Sequence, residues 1–168
     1  LLNADGSYPR SNKSVKIGSL QPKFLWGANT SVSWKGVTVN AVIDARFGGD
    51  IFSASYYYGM NSGNIKSSLA GRDTQYGGLP RTLADGRTVN DGVIPEGVFM
   101  PGTEIKGVDV SGMSYQAAYE KGLVEPLSAY KYYDNVYSWS SGIREEGIHK
   151  CSWIALREVS VHWQLPKK

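Results

Sequence analysis

The chain has 168 residues, of which 41% are hydrophobic and 20% charged, so it is long enough for one folded domain and wholesale disorder is excluded. Its formal net charge is +3, and because the lysines and arginines are scattered the sequence predicts no nucleic-acid partner. The 20 glycines and 11 tyrosines are typical of a β protein, and no apolar window is long enough to predict a transmembrane helix.

Residues 1–22 are rich in turn-forming side chains, and the sequence predicts a loop here. Residues 23–47 then alternate between apolar and polar side chains and reverse direction once, at Lys35-Gly36. Because successive side chains of a strand point to opposite faces, this alternation predicts a β-hairpin with one apolar and one polar face. Its strands are longer than the ~5–6 residues that are usual in soluble proteins.

The apolar face of this hairpin carries Trp26 and Trp34 near its two ends, and only small or β-branched side chains lie between them. At ~3.3 Å per residue and a tilt near ~40°, the two rings are separated by roughly 20 Å along a barrel axis. That distance is close to the ~25 Å apolar band of a transmembrane β-barrel, which aromatic girdles border. The pattern therefore favours a face that contacts lipid over one that packs in a soluble core.

Residues 48–150 contain ten of the 11 tyrosines and many glycine turns, but no sustained period. The sequence predicts a long loop that contains short helices. One helix is expected at Tyr115 to Lys121, with Ser114 as its N-cap, and a second at Ile51 to Tyr58.

The closing segment, residues 151–168, alternates again from Arg157 onward. It predicts a third long strand, which Pro166 ends. Short turns at one end of the strands and a very long loop at the other end are typical of outer-membrane barrels.

Two interpretations of this all-β chain remain open. In the first, about three long antiparallel strands form a segment of a transmembrane β-barrel, and residues 48–150 form a long extracellular loop. In the second, the chain is a soluble, secreted or surface carbohydrate-binding β module whose apolar face packs on a second sheet. Because open sheet edges are not tolerated in hydrocarbon, the first interpretation requires that the three strands belong to a larger barrel.

Several short motifs follow one another along the chain. They are Ile17-Gly18, Pro22–Asn29, Trp34–Val39, Arg46–Ile51, Leu69–Arg72, Asp91–Val93 and Trp153–Lys168. In this order they resemble the late-barrel segment of SusC/RagA-type TonB-dependent outer-membrane transporters. The resemblance implies a segment near the carboxyl end of a barrel of about 22 strands, with Lys35-Gly36 and Pro166-Lys167 at periplasmic turns.

The resemblance also implies a location, a function and partners. Such transporters lie in the Gram-negative outer membrane and import glycan fragments or oligopeptides with a SusD-like surface lipoprotein. The TonB system supplies energy through a plug domain, which is absent from these residues. The expected partners are the remainder of the same barrel, the lipoprotein, the TonB system, outer-membrane lipid and a glycan or peptide substrate, and residues 48–150 would face the cell exterior.

Three groups of candidate site residues follow. The lumen-facing candidates, for contact with substrate or plug, are Asn40, Asp44, Arg46, Glu158 and His162. The candidate loop contacts to ligand or lipoprotein are Tyr56, Tyr57, Tyr58, Tyr132 and Tyr133. The candidate lipid-facing girdle is Trp26, Trp34 and Trp163. Hydration of a wet lumen, or salt bridges among the polar residues, explains the polar group better than contact with substrate or plug. Packing of the loop on itself explains the tyrosines as well as ligand contact does.

The sequence predicts neither an enzyme nor a cofactor. The single cysteine, Cys151, has only His149 close by, so no metal site is expected. Glu145 and Glu146 are adjacent loop carboxylates without the fixed separation that glycosidases need. No nucleophile elbow or phosphate-binding loop is present in the sequence.

Overall fold

The computed structural model describes residues 1–11 and 13–165. Within them the chain forms mostly β-strands in antiparallel sheets, together with a few helices. The strands are β1 (Phe24–Trp34), β2 (Val37–Phe47), β3 (Asp50–Phe52), β4 (Leu79–Thr82), β5 (Thr88–Val93), β6 (Glu104–Ile105), β7 (Val108–Asp109), β8 (Leu127–Ser128), β9 (Ile148–Lys150) and β10 (Trp153–Trp163). The α-helices are α1 (Ala54–Ser62), α2 (Tyr115–Glu120) and α3 (Ala129–Tyr137), and short 3-10 helices lie at Lys66–Leu69, Thr74–Tyr76 and Arg144–Gly147.

Two compact units divide the chain. The sheet unit consists of Lys16–Phe52 and the chain from Ile148 onward, whereas the insert unit consists of Leu1–Val15 and Ser53–Gly147. Ser53 and Gly147 are the first and last residues of the longer segment of the insert unit, and the Ser53 N–H donates to the Gly147 carbonyl at 2.8 Å.

Three long antiparallel strands, in the order β1-β2-β10, form the main sheet. The predicted hairpin is confirmed, because Phe24 pairs with Phe47 at one end and Trp34 with Val37 at the other. Lys35 and Gly36 have φ angles of 47° and 83°, as a tight hairpin turn requires. The short pair β3 and β9 follows at the end of the sheet opposite this turn.

The third strand, Trp153–Trp163, lies within the closing segment of residues 151–168, and it starts before Arg157, where the alternation becomes clear. The register between β10 and β2 shifts between Leu156 and Glu158, so Arg157 is the extra residue of a β-bulge. A strict alternation cannot continue through a bulge, and for that reason the pattern breaks at this position. The predicted ending at Pro166-Lys167 lies outside the described residues.

The insert unit is more structured than the predicted long loop. Helix α2 is confirmed with Ser114 as its N-cap, whose Oγ accepts the Ala117 N–H at 3.1 Å. The helix expected at Ile51 to Tyr58 was placed wrongly, because β3 occupies its start and α1 extends to Ser62. Helix α3 was not predicted.

The first core of the insert unit forms around Leu2, Phe99, Val110, Tyr115 and Ala118, all of which are buried. Leu2 comes from the segment predicted to be a loop, and it pairs with Phe99 in an isolated parallel bridge. The second core consists of aromatic side chains from α1 and α3, among them Tyr57, Tyr133 and Tyr137.

Candidate functional site

The main sheet collects its apolar side chains on one face. The register places Trp34, Val37 and Trp163 side by side at the end near the hairpin turn. At the opposite end, the Phe24 and Phe47 rings stack with centroids 4.5 Å apart. Between these ends the face carries Trp26, Ala28, Thr30, Val32, Val39, Ala41, Ile43, Ala45, Ile154, Leu156, Val159 and Val161.

Much of this apolar face is exposed. Trp34 and Trp163 retain 70% and 64% of their accessible surface, and Val161 retains 67%. Trp26 retains 51%. The three tryptophans predicted to form a girdle thus lie on the same face, with Trp34 and Trp163 at one level and Trp26 towards the other end.

The opposite face of the sheet carries all five residues predicted to face a lumen. Asn40 donates through Nδ2 to Ser160 Oγ at 3.1 Å, and Arg46 donates to the Leu20 carbonyl at 2.7 Å. Glu158 and His162 lie on this face of β10, opposite Val42 and Thr38 of β2. The polar face is therefore continuous across β2 and β10.

Sequence reasoning missed Arg157 as a member of the polar face. Its Nε lies 3.1 Å from Asp44 Oδ2, and its guanidinium carbon lies 4.8 Å from the centre of the Trp153 ring. The broken alternation at Arg157 was the signal in the sequence. Asp44, one of the predicted residues, is thus half of an ion pair whose two side chains are both about half exposed.

The five predicted loop tyrosines have different environments. Tyr57 and Tyr133 are buried, and their hydroxyls donate to the carbonyls of Val136 at 3.0 Å and Ala70 at 2.9 Å. Tyr56, Tyr58 and Tyr132 are half-buried. Rings of α1 and α3 meet edge to face, with Tyr57 and Tyr137 at a centroid distance of 5.4 Å. At least two of the five tyrosines therefore form the second core of the insert unit.

One cavity of this unit, about 400 Å³ in volume, lies beside that core. We call it the tyrosine cavity; it is lined by Tyr8, Glu96, Tyr132, Val136, Tyr137, Ile143 and Glu146. Of these residues the sequence singled out Tyr132 as a contact and Glu146 as an acidic neighbour of Glu145. Tyr8, Glu96 and Tyr137 reach the cavity from distant parts of the chain, which the linear sequence does not reveal.

The phenols of the tyrosine cavity are desolvated. Burial raises the pKa of Tyr132 to about 12, and the neighbouring Tyr8 hydroxyl adds to this shift. Burial and then the Glu96 carboxylate raise the pKa of Tyr8, and burial raises the pKa of Tyr137. All three hydroxyls therefore stay protonated near neutral pH, and the two carboxylates supply the formal charge of the lining.

Across positions 1–11 and 13–165, no three His, Cys, Asp or Glu side chains lie close enough to hold a metal ion. No helix in the described part of the chain is long and apolar enough to span a membrane.

Comparison with known proteins adds no relative: no protein-family model matches the chain, and no curated protein or solved structure matches it significantly.

Proposed function

We propose that this chain forms part of the wall of an outer-membrane β-barrel that imports glycan fragments or oligopeptides with energy from the TonB system. The observation that carries the proposal is the main sheet, a single layer of three long strands with an exposed apolar face. A soluble protein rarely exposes so large a contiguous apolar surface, because water contact with it is unfavourable. Lipid contact removes that cost.

Strand length supports the same proposal. Each of the three strands has 11 residues. At ~3.3 Å per residue and a tilt near ~40°, such a strand covers roughly 28 Å along a barrel axis, enough for an apolar band of ~25 Å. Trp34 and Trp163 then lie at one border of the band, and Phe24 and Phe47 at the other.

The unpaired edges of the main sheet imply that further strands lie beside β1 and β10. Among the described residues, β1 and β10 each pair on one side only. Unpaired backbone groups cost several kcal/mol each in hydrocarbon, so further strands of the same barrel would pair with both edges. The polar face, with the Asp44–Arg157 ion pair and the Asn40–Ser160 hydrogen bond, would line a hydrated lumen.

The insert unit supports the proposed orientation. Its longer segment, Ser53–Gly147, lies in the chain between β3 and β9, which pair beyond the strand ends opposite the Lys35-Gly36 turn. Outer-membrane barrels have short periplasmic turns and long extracellular loops. We therefore propose that Ser53–Gly147 faces the cell exterior, where a SusD-like lipoprotein and the substrate would meet it. The proposed role is transport and not catalysis.

Cysteines introduced at neighbouring positions on the two faces of the main sheet test whether this sheet is part of a barrel wall. Val161→Cys and Ser160→Cys, each combined with Cys151→Ser, are introduced into the whole protein and studied in outer-membrane vesicles. A membrane-impermeant maleimide applied to opened vesicles is expected to label the cysteine at position 160 and to spare the one at position 161, because only position 160 faces water.

Equal, rapid labelling at both positions would contradict the proposed wall. Recovery of the folded protein in the soluble fraction, monomeric without detergent, would instead favour a soluble carbohydrate-binding module. Transport is measured separately, as uptake of labelled oligopeptide and oligosaccharide mixtures by intact cells. Uptake is expected to stop when the proton-motive force is dissipated, and uptake that continues would rule out TonB-driven import.

A further inference from the structure

We propose that the insert unit binds a glycan chain beside Trp139, whose indole ring serves as a platform on which one sugar ring stacks. Next to this ring lies a cavity of about 590 Å³, lined by the amino-terminal segment and by residues 140–145. We call it the loop cavity. Its lining belongs entirely to the insert unit, and only the role of the glycan as the imported substrate rests on the function proposed above.

Trp139 is exposed, yet its ring is held in place by two other elements. It retains 70% of its accessible surface, and its ring packs on Tyr58 of α1 with centroids 4.6 Å apart. Arg144 donates to the Tyr58 hydroxyl at 3.2 Å and to the Trp139 carbonyl, so it ties the two residues together. An aromatic ring that is already fixed loses little conformational entropy when a ligand stacks on it.

The loop that carries Trp139 is held against the end of α3. The Gly142 N–H donates to the Ser138 carbonyl at 3.0 Å, and the Ile143 N–H donates to the Val136 carbonyl at 2.7 Å. Gly142 permits this close approach, because a Cβ at that position would lie 2.6 Å from the Val136 carbonyl oxygen. The indole ring and the residues that follow it in the chain therefore keep a fixed arrangement.

Polar side chains line the loop cavity beside this platform. Ser140 and Ser141 follow Trp139 directly in the chain and border the cavity, as do Arg10 and Glu145. Hydroxyls donate and accept, a guanidinium donates and a carboxylate accepts, so the lining offers both kinds of hydrogen-bond partner. A sugar needs both kinds for its hydroxyls, whereas the C–H groups on the face of its ring pack on an aromatic ring.

Two other occupants fit this arrangement less well. An aromatic peptide side chain would stack on Trp139, but it would remove water from the polar lining without replacing the hydrogen bonds. A flat protein surface would cover the indole ring but would not fill the loop cavity, whose volume lies within the ~300–1,000 Å³ of small-ligand sites. A fixed, exposed indole next to a polar cavity therefore favours a glycan.

A panel of oligosaccharides and one peptide test the proposal. The full chain, folded in detergent, is titrated calorimetrically with cellohexaose, maltohexaose, mannohexaose, xylohexaose and hexagalacturonate, and separately with acetyl-Ala-Phe-Ala-amide. We expect at least one of the oligosaccharides to bind with a Kd below about 1 mM, and the peptide to bind at least about tenfold more weakly. This comparison uses the unaltered protein and needs no variant to fold.

Substitutions at Trp139 localise the bound glycan. Trp139→Ala is expected to weaken binding of the best oligosaccharide at least about tenfold, because the stacking surface is lost. Trp139→Phe is expected to retain most of the affinity and to abolish the change in tryptophan fluorescence on binding, since a ring remains but the indole is gone. Tyr130→Ala is the matched control: it removes a similarly exposed ring on α3, outside the described lining of the cavity, and should leave binding unchanged. Circular dichroism checks that each variant keeps its fold.

Four results would overturn the proposal. They are the absence of any oligosaccharide with a Kd below about 1 mM, equal or tighter binding of the peptide, an equal loss of affinity in Trp139→Ala and Tyr130→Ala, and a fluorescence change that persists in Trp139→Phe. All four are read from binding in solution. A failure here is thus distinct from a failure of the labelling and uptake experiments, which test the barrel and transport.

Discussion

At the residue scale, the buried tyrosines show how a phenol can stabilise the insert unit and supply its polar contacts at once. Tyr57 is fully buried, its ring packs on Tyr58 and Tyr137, and its hydroxyl donates to the Val136 carbonyl. That bond joins α1 to α3, which are distant in the sequence. Such a ring combines a large apolar contact with a satisfied polar group, so it can lie inside a small core.

Tyr57→Phe is expected to lower the free energy of unfolding by about 1 kcal/mol, because it removes one buried hydrogen bond and keeps the ring. The measurement is denaturant unfolding of the detergent-solubilised chain, followed by near-ultraviolet circular dichroism. Tyr130→Phe is the control, because it makes the same chemical change on α3 at a side chain that is 71% exposed. We expect it to change the free energy of unfolding by less than about 0.5 kcal/mol. Equal effects of the two substitutions would contradict the assigned role of the Tyr57 hydroxyl.

At the element scale, the bulge in β10 allows apolar residues at even positions before Arg157 and at odd positions after it to lie on the same face of the sheet. In a regular strand these two sets would lie on opposite faces. Ile154 and Leu156 have the sequence parity of Glu158, yet they lie on the apolar face with Val159 and Val161. The extra residue, Arg157, shifts the parity once, so that apolar residues on both sides of it reach the same face. Without the bulge, the amino-terminal part of β10 would turn its apolar residues towards the polar face.

Deletion of Arg157 is expected to be tolerated better than deletion of Ala155. The first deletion removes the bulge and preserves every pair in the ladder, at the cost of the exposed Asp44–Arg157 ion pair. The second would move Ile154 to the polar face and Trp153 to the apolar face. Thermal unfolding in detergent should show a clearly lower midpoint for the Ala155 deletion, and a similar loss in both variants would argue against the bulge.

At the scale of the whole molecule, the first residues of the chain belong with its middle. Leu1–Val15 forms one compact unit with Ser53–Gly147, although β1, β2 and β3 separate the two segments in the sequence. The Leu2 N–H donates to the Val98 carbonyl at 2.8 Å, and the Leu2 side chain is fully buried with Phe99. The amino-terminal segment therefore completes the core of the insert unit, and it also supplies Tyr8 to the tyrosine cavity.

Leu2→Ala is expected to destabilise the insert unit by about 2–5 kcal/mol, because it removes a buried side chain and leaves a cavity in the core. Leu1→Ala is the matched control, since Leu1 is 61% exposed, and a change of less than about 0.5 kcal/mol is expected. Protease resistance of Ser53–Gly147 in the full chain reports the difference. If the two variants were equally resistant, the amino-terminal segment would have no part in this core.

The sequence alone determined the features that depend on neighbours along the chain. Alternation over residues 24–47 predicted the hairpin and its two faces, because a strand repeats every two residues. Ser114 predicted the start of α2, because an N-cap acts within a single turn. Helix α3 left a similar signal, since Ser128 caps it and Tyr133, Val136 and Tyr137 have helical spacing, but its tyrosines and asparagine have weak helix propensity.

Only the tertiary structure decided which distant residues meet. The bulge at Arg157 becomes visible through pairing with β2, because strand register is a property of two strands. The burial of Leu2 and the meeting of Tyr8, Glu96 and Glu146 in one cavity depend on contacts across almost the whole chain. Such contacts are set by packing of the folded chain and leave no period in the sequence, which is why the alternation predicted the two-faced sheet but not the tyrosine cavity.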